Sequence, residues 1–220
     1  PENGVIVANK DNSGIKKILD KAIFYGKENA DYVYKDIIQN ENGLEFKIKH
    51  KDNTYDIKSQ LLGSFQAENI TGAFAMAHNI GLSPEKIISS IEKFKGMKRR
   101  LEKRYDGDIK VIDDIAHSGE KAISVLNCLR SIYKGKIITV FEPNIGGREI
   151  DASGSYKNAF IDSDIVIIPR LSKLKINENE DKKPMDGKEL AGVISNTHKN
   201  TLYIEDDEEL INFLLSNTKK

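Results

Sequence analysis

The sequence predicts an α/β protein in two parts: a partial domain with an antiparallel meander, then a Rossmann-like domain with a parallel sheet. In residues 31–61, polar and apolar side chains alternate, and Glu41-Asn42-Gly43 and Lys51-Asp52-Asn53 are typical hairpin turns. After residue 98, strand-length apolar runs alternate with helix-length segments, as in parallel sheets covered by helices. We therefore predict domains over residues 1–98 and 99–220.

The elements predicted in the first part follow local apolar runs and capping signals. Outside the meander they are strands at Gly4–Ala8 and Ile23–Tyr25, and helices at Ile15–Ala22, Ile70–Ile80 and from Ser83-Pro84-Glu85 to Gly96. Pro84 fits the first position of a helix because a proline has no N–H to leave unpaired.

The second part has a βα rhythm. The predicted strands are Lys110–Asp114, Lys136–Glu142, Asp164–Ile168 and Thr201–Glu205, and the predicted helices are Glu120–Tyr133, about Ser155–Asp162, Gly187–His198 and Asp207–Ser216. Leu171–Asp186 is predicted to be a long charged loop. The sequence ends directly after a helix, so this domain is predicted to lack its last strand.

Composition limits the class of protein. Lys and Arg together number 34, as do Asp and Glu, so the net charge of zero gives no global electrostatic case for binding nucleic acid. Cys128 is the one cysteine, which excludes an intramolecular disulfide; it is interpreted as a small buried residue rather than a reactive thiol. No apolar run reaches membrane-spanning length and the first residues do not resemble a signal peptide, so a cytoplasmic location is predicted.

The segment from Lys98 to Glu120 carries the densest set of candidate functional residues. A strand ends in Asp113 and Asp114, whose side chains point to opposite faces, and Asp114 is the better candidate because it lies at the strand end. His117 and Ser118 follow where open α/β sheets bind ligands. His117 is either functional or a cap for the next helix.

Five further residues allow two interpretations each. Gln66 and Asn69 lie three apart at a helix start, so their amides either cap the helix or contact a base edge. Arg99 and Arg100 precede the first strand of the second domain and are either a solvated basic face or ligand contacts. Arg148 follows the second strand of that domain and is either an exposed loop residue or an anion site.

Several familiar motifs are absent from the sequence. It contains no GxxxxGK[ST] phosphate loop and no GxGxxG fingerprint. It also has no CxxC, HExxH or histidine cluster, so no protein-built metal site is predicted.

Five segments, in order, resemble motifs of the Mur ligases. They are Ala8-Asn9-Lys10-Asp11-Asn12 for Asn-x-Asp-Asp/Glu, Gly63 to Asn69 for Gly-x-His-Asn-x-x-Asn, Phe94 to Glu102 for Phe-x-Gly-x-x-x-Arg-x-Glu, Asp113 to Ser118 for Asp-Asp-Tyr-Ala-His-His/Thr, and Phe141-Glu142-Pro143 for Phe-Gln/Glu-Pro. The resemblance covers essentially the whole chain and is nearest to the UDP-N-acetylmuramate–alanine ligase and muramyl-tripeptide recycling branch.

The resemblance implies an ATP-dependent ligase that joins an amino acid or peptide to a UDP-N-acetylmuramyl carboxylate through an acyl phosphate. It implies that Gln66 and Asn69 lie against adenine, and that Arg100 and Asp114 hold the ribose and phosphates. It further implies that His117, Ser118 and Arg148 face the acceptor, with His117 and Arg148 as catalytic residues.

The departures from the family pattern are equally specific. Phe65 replaces histidine, Gln66 replaces asparagine, Ile115 replaces tyrosine and Gly119 stands at the usual proline. The family's phosphate loop, magnesium ligands and UDP-sugar domain precede the matched region. The chain is therefore expected to be part of a longer enzyme, inactive alone. The alternatives are a folylpolyglutamate-type ligase and a non-enzymatic domain that binds a nucleotide or a partner.

Overall fold

The computed structural model describes residues 4–15, 22–172 and 184–218. The chain divides into two compact units, Pro1–Leu101 and Glu102–Lys220. The division lies three residues after the boundary predicted from the sequence.

Unit 1 is built on a mixed sheet. Its described elements are β1 (Val7–Asn9), β2 (Ile23–Gly26), β3 (Tyr32–Asn40), β4 (Gly43–His50), β5 (Asn53–Ser59), α1 (Gln66–Asn79) and α2 (Pro84–Lys93). The strands lie in the order β1-β2-β3-β4-β5, with β1 to β3 parallel and β3 to β5 forming the predicted antiparallel meander.

The core of unit 1 follows from alternation along the meander. Leu44, Phe46 and Ile48 of β4 point to one face and are buried, whereas Glu45 and Lys47 between them are exposed. Phe74 of α1 packs into the same core. Gly43 begins β4 with φ of 136°, and a Cβ there would lie 2.0 Å from the Ser59 carbonyl oxygen, so the β3–β4 turn requires glycine.

Unit 2 contains a small parallel sheet and a separate hairpin. Its described elements are β6 (Glu102–Asp106), β7 (Lys110–Asp113), α3 (Gly119–Ile132), β8 (Ile138–Val140), 3₁₀ helices at Gly146–Arg148 and Ile150–Tyr156, β9 (Ile165–Pro169), α4 (Gly187–Ser195), β10 (Thr201–Ile204) and α5 (Asp207–Asn217). The parallel sheet has the order β10-β9-β8, and the predicted α/β class is confirmed.

Central strand β9 organises the core of unit 2. Val166, Ile167 and Ile168 are fully buried, as expected for a parallel strand covered on both faces. Phe141 and Phe160 meet edge to face with ring centroids 5.1 Å apart beside this strand. These contacts fix the segment that follows β8, where the candidate site lies.

Two predictions for unit 2 were wrong. The strand predicted at Lys110–Asp114 does not join the parallel sheet: it pairs antiparallel with β6, which the sequence analysis missed because Glu102–Asp106 is too charged to show an apolar period. The helix predicted over Ser155–Asp162 is replaced by a 3₁₀ helix that ends at Tyr156 and by turns. Asn158 has φ of 60°, which is incompatible with a continuing helix.

Two other predictions concern residues that the structure does not describe. The predicted helix Ile15–Ala22 falls mainly on residues 16–21, and the predicted loop Leu171–Asp186 falls mainly on residues 173–183. Neither prediction is tested.

An ion pair joins α3 to the start of β9 and provides a pH-dependent test of the fold. Arg130 donates from Nη2 to Asp164 Oδ2 at 2.6 Å, and the same carboxylate accepts the Ile137 N–H at 2.7 Å. The Ile137 N–H and the Arg130 guanidinium lower the pKa of Asp164 from its ordinary value of 3.8.

We expect Asp164→Asn to reduce the free energy of unfolding by about 0.5–1 kcal/mol at pH 7, a small loss because the pair is partly exposed. Because the folded pKa is depressed, the stabilisation is complete above the unfolded pKa and is lost as pH falls through the folded pKa. Urea titrations should therefore show the two proteins converging below pH 3.8. Asp162→Asn, two residues away, is the control; an equal effect of both substitutions would contradict the assignment.

Candidate functional site

A cavity of about 680 Å³ lies in unit 2, where the start of α3 meets the segment after β8. It is lined by His117, Ser118, Glu120, Asn144, Gly146, Gly147, Asp151, Ala152, Gly154 and Ser155. Two of the residues predicted from the sequence, His117 and Ser118, are among them. The carboxylates of Glu120 and Asp151 give the cavity an acidic character that suits a cationic group.

His117 is held by hydrogen bonds at both ring nitrogens. Its Nδ1 lies 2.8 Å from the Ile115 carbonyl oxygen, which only accepts, so Nδ1 carries the proton. Its Nε2 lies 3.1 Å from the Lys121 ammonium and accepts from it. The imidazole is therefore a neutral tautomer whose Nε2 lone pair binds an ammonium group.

Ser118 is the N-cap residue of α3, with an extended backbone. The pKa of the Glu120 carboxyl is lowered mainly by a hydrogen bond from its own backbone N–H and, to a smaller extent, by one that the Ser118 hydroxyl donates. Glu120 therefore stays ionised at the cavity, beside the positive end of the helix dipole.

The cavity wall depends on two close backbone approaches. A Cβ at Gly119 would lie 1.9 Å from the Ser155 carbonyl oxygen, so α3 can begin there only with glycine. A Cβ at Gly147 would lie 2.8 Å from the Tyr156 hydroxyl and 3.0 Å from the His117 carbonyl oxygen. Tyr156 is buried and donates to the Gly147 carbonyl at 2.6 Å, and burial raises its pKa to about 12, so this donor is kept at physiological pH.

Asp114 directly follows β7, which ends one residue earlier than predicted, and its Oδ1 accepts the Ala116 N–H at 2.8 Å. This bond shapes the turn that leads to His117.

Burial, with a smaller contribution from the Asp114 charge, raises the pKa of the Cys128 thiol to about 11. The thiol is therefore protonated at neutral pH, which agrees with its interpretation as an unreactive residue, but the side chain is half-buried and not fully buried as predicted.

Arg148 lies behind the cavity and is not among its lining residues. Its side chain is buried, with 9% of the residue surface exposed. Its Nε donates to the Met185 carbonyl at 3.1 Å and its Nη1 to the Ser172 carbonyl at 3.0 Å. The contact of Arg148 with an acceptor stays a prediction.

The predicted adenine contacts lie together at the start of α1 in unit 1. Asn69 donates from Nδ2 to Gln66 Oε1 at 3.1 Å, so the two amides lie on one face, as their spacing predicts. Neither amide caps the helix, because Phe65 is the N-cap residue and has no side-chain cap bond. Their contact with adenine stays a prediction.

Arg100 lies at the end of unit 1 and is exposed. Its neighbours Arg99 and Leu101 have φ of 56° and 47°, an uncommon left-handed conformation at two nearby non-glycine residues. The predicted role of Arg100 in holding the nucleotide is not tested by these contacts.

Several cavity residues were missed by the sequence analysis. Asp151 and Ser155 lie in 3₁₀ and turn structure, which has no apolar period, and no motif marked them. Asn144 directly follows the Phe141-Glu142-Pro143 motif, so extending that motif by one residue would have identified it as a candidate.

Two further features of the described residues bear on the site. The described residues contain no cluster of three His, Cys, Asp or Glu side chains that could hold a metal ion. The magnesium ligands are still expected to lie outside this chain. A second cavity, of about 240 Å³, lies beside the hairpins of unit 1 and contains none of the predicted site residues.

The fold of the chain matches the folds of several solved proteins. It superposes on MurF from Acinetobacter baumannii with a TM-score of 0.75 and 16% identity, over 97% of this chain and 46% of that one. It also superposes on the folylpolyglutamate synthase of Mycobacterium tuberculosis, solved with ADP, with a TM-score of 0.63 and 15% identity, over 88% of this chain and 41% of that one. At these identities the likeness establishes the fold alone.

Sequence comparison gives the family. The profile described as "Mur ligase, glutamate ligase domain" matches residues 99–220, and "Mur ligase middle domain" matches residues 1–77. The chain belongs to the Mur ligase family. The UDP-N-acetylmuramate–L-alanine ligase of Acetivibrio thermocellus is 30% identical over 99% of this chain and 48% of its own length. The chain thus spans about half the length of the curated relatives it matches.

The close approach at Gly119 provides a test of how the cavity is built. We expect Gly119→Ala to lower the free energy of unfolding by about 1–3 kcal/mol, because the added methyl group overlaps the Ser155 carbonyl and forces the backbone apart. Thermal or urea unfolding measures this loss.

Gly154→Ala is the matched control because Gly154 also lines the cavity and a Cβ there meets nothing within 4 Å. Equal stability of the two variants would show that α3 does not need glycine at its start.

Proposed function

We propose that this chain is part of an ATP-dependent ligase that joins an amino acid or peptide to the carboxylate of a UDP-N-acetylmuramyl substrate. The observation that carries the proposal is the pair of family matches, in order, to the middle and C-terminal domains of Mur ligases. The 30% identity to a UDP-N-acetylmuramate–L-alanine ligase supports the choice of substrates.

In the proposed reaction, the muramyl carboxylate takes the terminal phosphoryl group of ATP to form an acyl phosphate and ADP. The acceptor amine attacks the acyl carbon, and phosphate leaves as the amide forms. The sequence has no phosphate-binding loop, so we propose that this chain alone does not turn over and that the missing N-terminal part supplies the loop and the magnesium ligands.

The residues of unit 1 are assigned to the nucleotide. The paired amides of Gln66 and Asn69 have donors and acceptors that match the edge of adenine, which is the physical basis for placing them there. We also assign Arg100 and Asp114 to the ribose and phosphates of the nucleotide. This assignment is based on the family resemblance alone.

The cavity of unit 2 is assigned to the acceptor. An attacking amine must lose a proton, and the Nε2 lone pair of His117 already accepts from the Lys121 ammonium. We propose that the acceptor ammonium takes the place of Lys121 on His117 and that Glu120 and Asp151 stabilise its charge. Ser118 lies beside it as a further polar contact, and Arg148 keeps its proposed place near the acceptor.

The proposal also covers the domain assignment and the cellular location. We assign residues 1–98 to the C-terminal part of the central ATPase domain and residues 99–220 to the C-terminal domain. No helix of the described residues is long and apolar enough to span a bilayer. The cytoplasmic location stays a prediction.

Two alternatives make different predictions. A folylpolyglutamate-type ligase shares the fold, and it would release phosphate with a folate and glutamate instead of a UDP-muramyl substrate. A non-enzymatic binding domain would release no phosphate with either set of substrates. Substitutions at His117 would then change only the stability of the protein.

The test uses the complete product of the reading frame that encodes these residues. With ATP, magnesium, UDP-N-acetylmuramate and L-alanine we expect phosphate release, and we expect His117→Ala to lower kcat/KM for the acceptor about tenfold or more, which corresponds to about 1.4 kcal/mol. Ser118→Ala should raise the acceptor KM.

Ser131→Ala is the control for Ser118 because Ser131 is exposed near the opposite end of the same helix. Phosphate release that responds equally to all three substitutions would remove His117 and Ser118 from the acceptor site. The absence of release with any amino acid or peptide acceptor would overturn the ligase assignment.

A further inference from the structure

Two side chains from the loop after β8 hold one residue, Ser172, by its backbone N–H and its backbone carbonyl. The Glu142 carboxylate accepts the Ser172 N–H at 2.7 Å, and Arg148 Nη1 donates to the Ser172 carbonyl at 3.0 Å. Glu142 and Arg148 lie on either side, in sequence, of three residues of the cavity wall, Asn144, Gly146 and Gly147.

The same arginine binds the start of α4. Arg148 Nε donates to the Met185 carbonyl at 3.1 Å, and the Met185 N–H donates back to the Arg148 carbonyl at 2.7 Å. Asp186, the next residue, caps α4 through a reciprocal pair of bonds with Glu189. Arg148 therefore connects the wall of the cavity to a rigid helix start.

The wall in turn contacts the loop that carries His117. The Arg148 N–H donates to the Ile145 carbonyl at 2.9 Å, the Gly147 N–H donates to Asn144 Oδ1 at 2.9 Å, and the Asn144 N–H donates to the His117 carbonyl at 3.3 Å. A continuous set of hydrogen bonds thus runs from Ser172 and Met185 to His117.

We propose that Glu142 and Arg148 form a clamp that fixes the position of the cavity wall relative to His117. Arg148 acts here as a positioning residue, because its guanidinium holds two backbone carbonyls behind the cavity. The proposal rests on the proposed function only in taking this cavity as the acceptor site.

The planar fork of arginine is essential to this arrangement. Nε and Nη1 reach two carbonyl groups that belong to distant parts of the chain, Met185 and Ser172. A lysine keeps the charge but offers a single nitrogen, so it cannot hold both at these distances. At Glu142 only an acceptor oxygen is needed, and glutamine supplies one without the charge.

Amide hydrogen exchange of the 220-residue chain, followed by NMR, tests the clamp without any substrate. We expect Arg148→Lys to increase the exchange rates of the Gly147 and Met185 amides about tenfold or more, because both amides donate within the clamped region. Gly107, in the β6–β7 turn, should exchange at an unchanged rate and report that the fold is intact. Glu142→Gln should leave all three rates unchanged.

Glu142→Ala is a second variant that leaves the buried arginine in place and covers the case in which Arg148→Lys does not fold. It should increase exchange at Gly147 with Gly107 unchanged. Exchange at Gly147 that stays within twofold of the original chain in either folded variant would overturn the clamp, as would an effect of Glu142→Gln equal to that of Glu142→Ala. A failure to find ligase activity would count against the proposed function and leave this result standing.

Discussion

The contact between the first residue of α3 and the backbone of Ser155 is the constraint on which the candidate site depends. A backbone approach this close is available only to glycine, and it places the positive end of a helix against a segment with little regular structure. The 3₁₀ segment brings Asp151 and Ser155 to the cavity, and the helix brings Glu120. Without that approach, the residues around His117 would lie on an open turn.

The electrostatics of the cavity are set by local hydrogen bonds. The Ile115 carbonyl fixes the His117 tautomer, the Ser118 hydroxyl helps to keep Glu120 ionised, and buried Tyr156 holds the Gly147 carbonyl. The partners in each of these bonds are close in the sequence, at most nine residues apart. Preorganisation of this kind lowers the conformational entropy that the site itself must lose when a molecule binds.

The sequence predicted the regular parts of the fold well, because alternation in the meander and capping at Pro84 act locally. It failed at β6, where charged residues pair with β7 through main-chain bonds that carry no compositional signal. In the site, the spacing of Gln66 and Asn69 predicted a shared face, which the structure confirms. The burial of Arg148 depends on Ser172 and Met185, more than twenty residues away, and no local pattern predicts such partners.

The raised pKa of half-buried Cys128 has a practical consequence for handling the protein. With a thiol pKa of about 11, roughly one molecule in 10⁴ carries a thiolate at pH 7, and the thiolate is the form that attacks disulfides and alkylating reagents. The folded chain should resist covalent dimerisation in air and react slowly with maleimides. Rapid labelling of its single sulfhydryl would therefore report local unfolding of α3, which makes Cys128 a built-in probe of the helix that begins at the cavity.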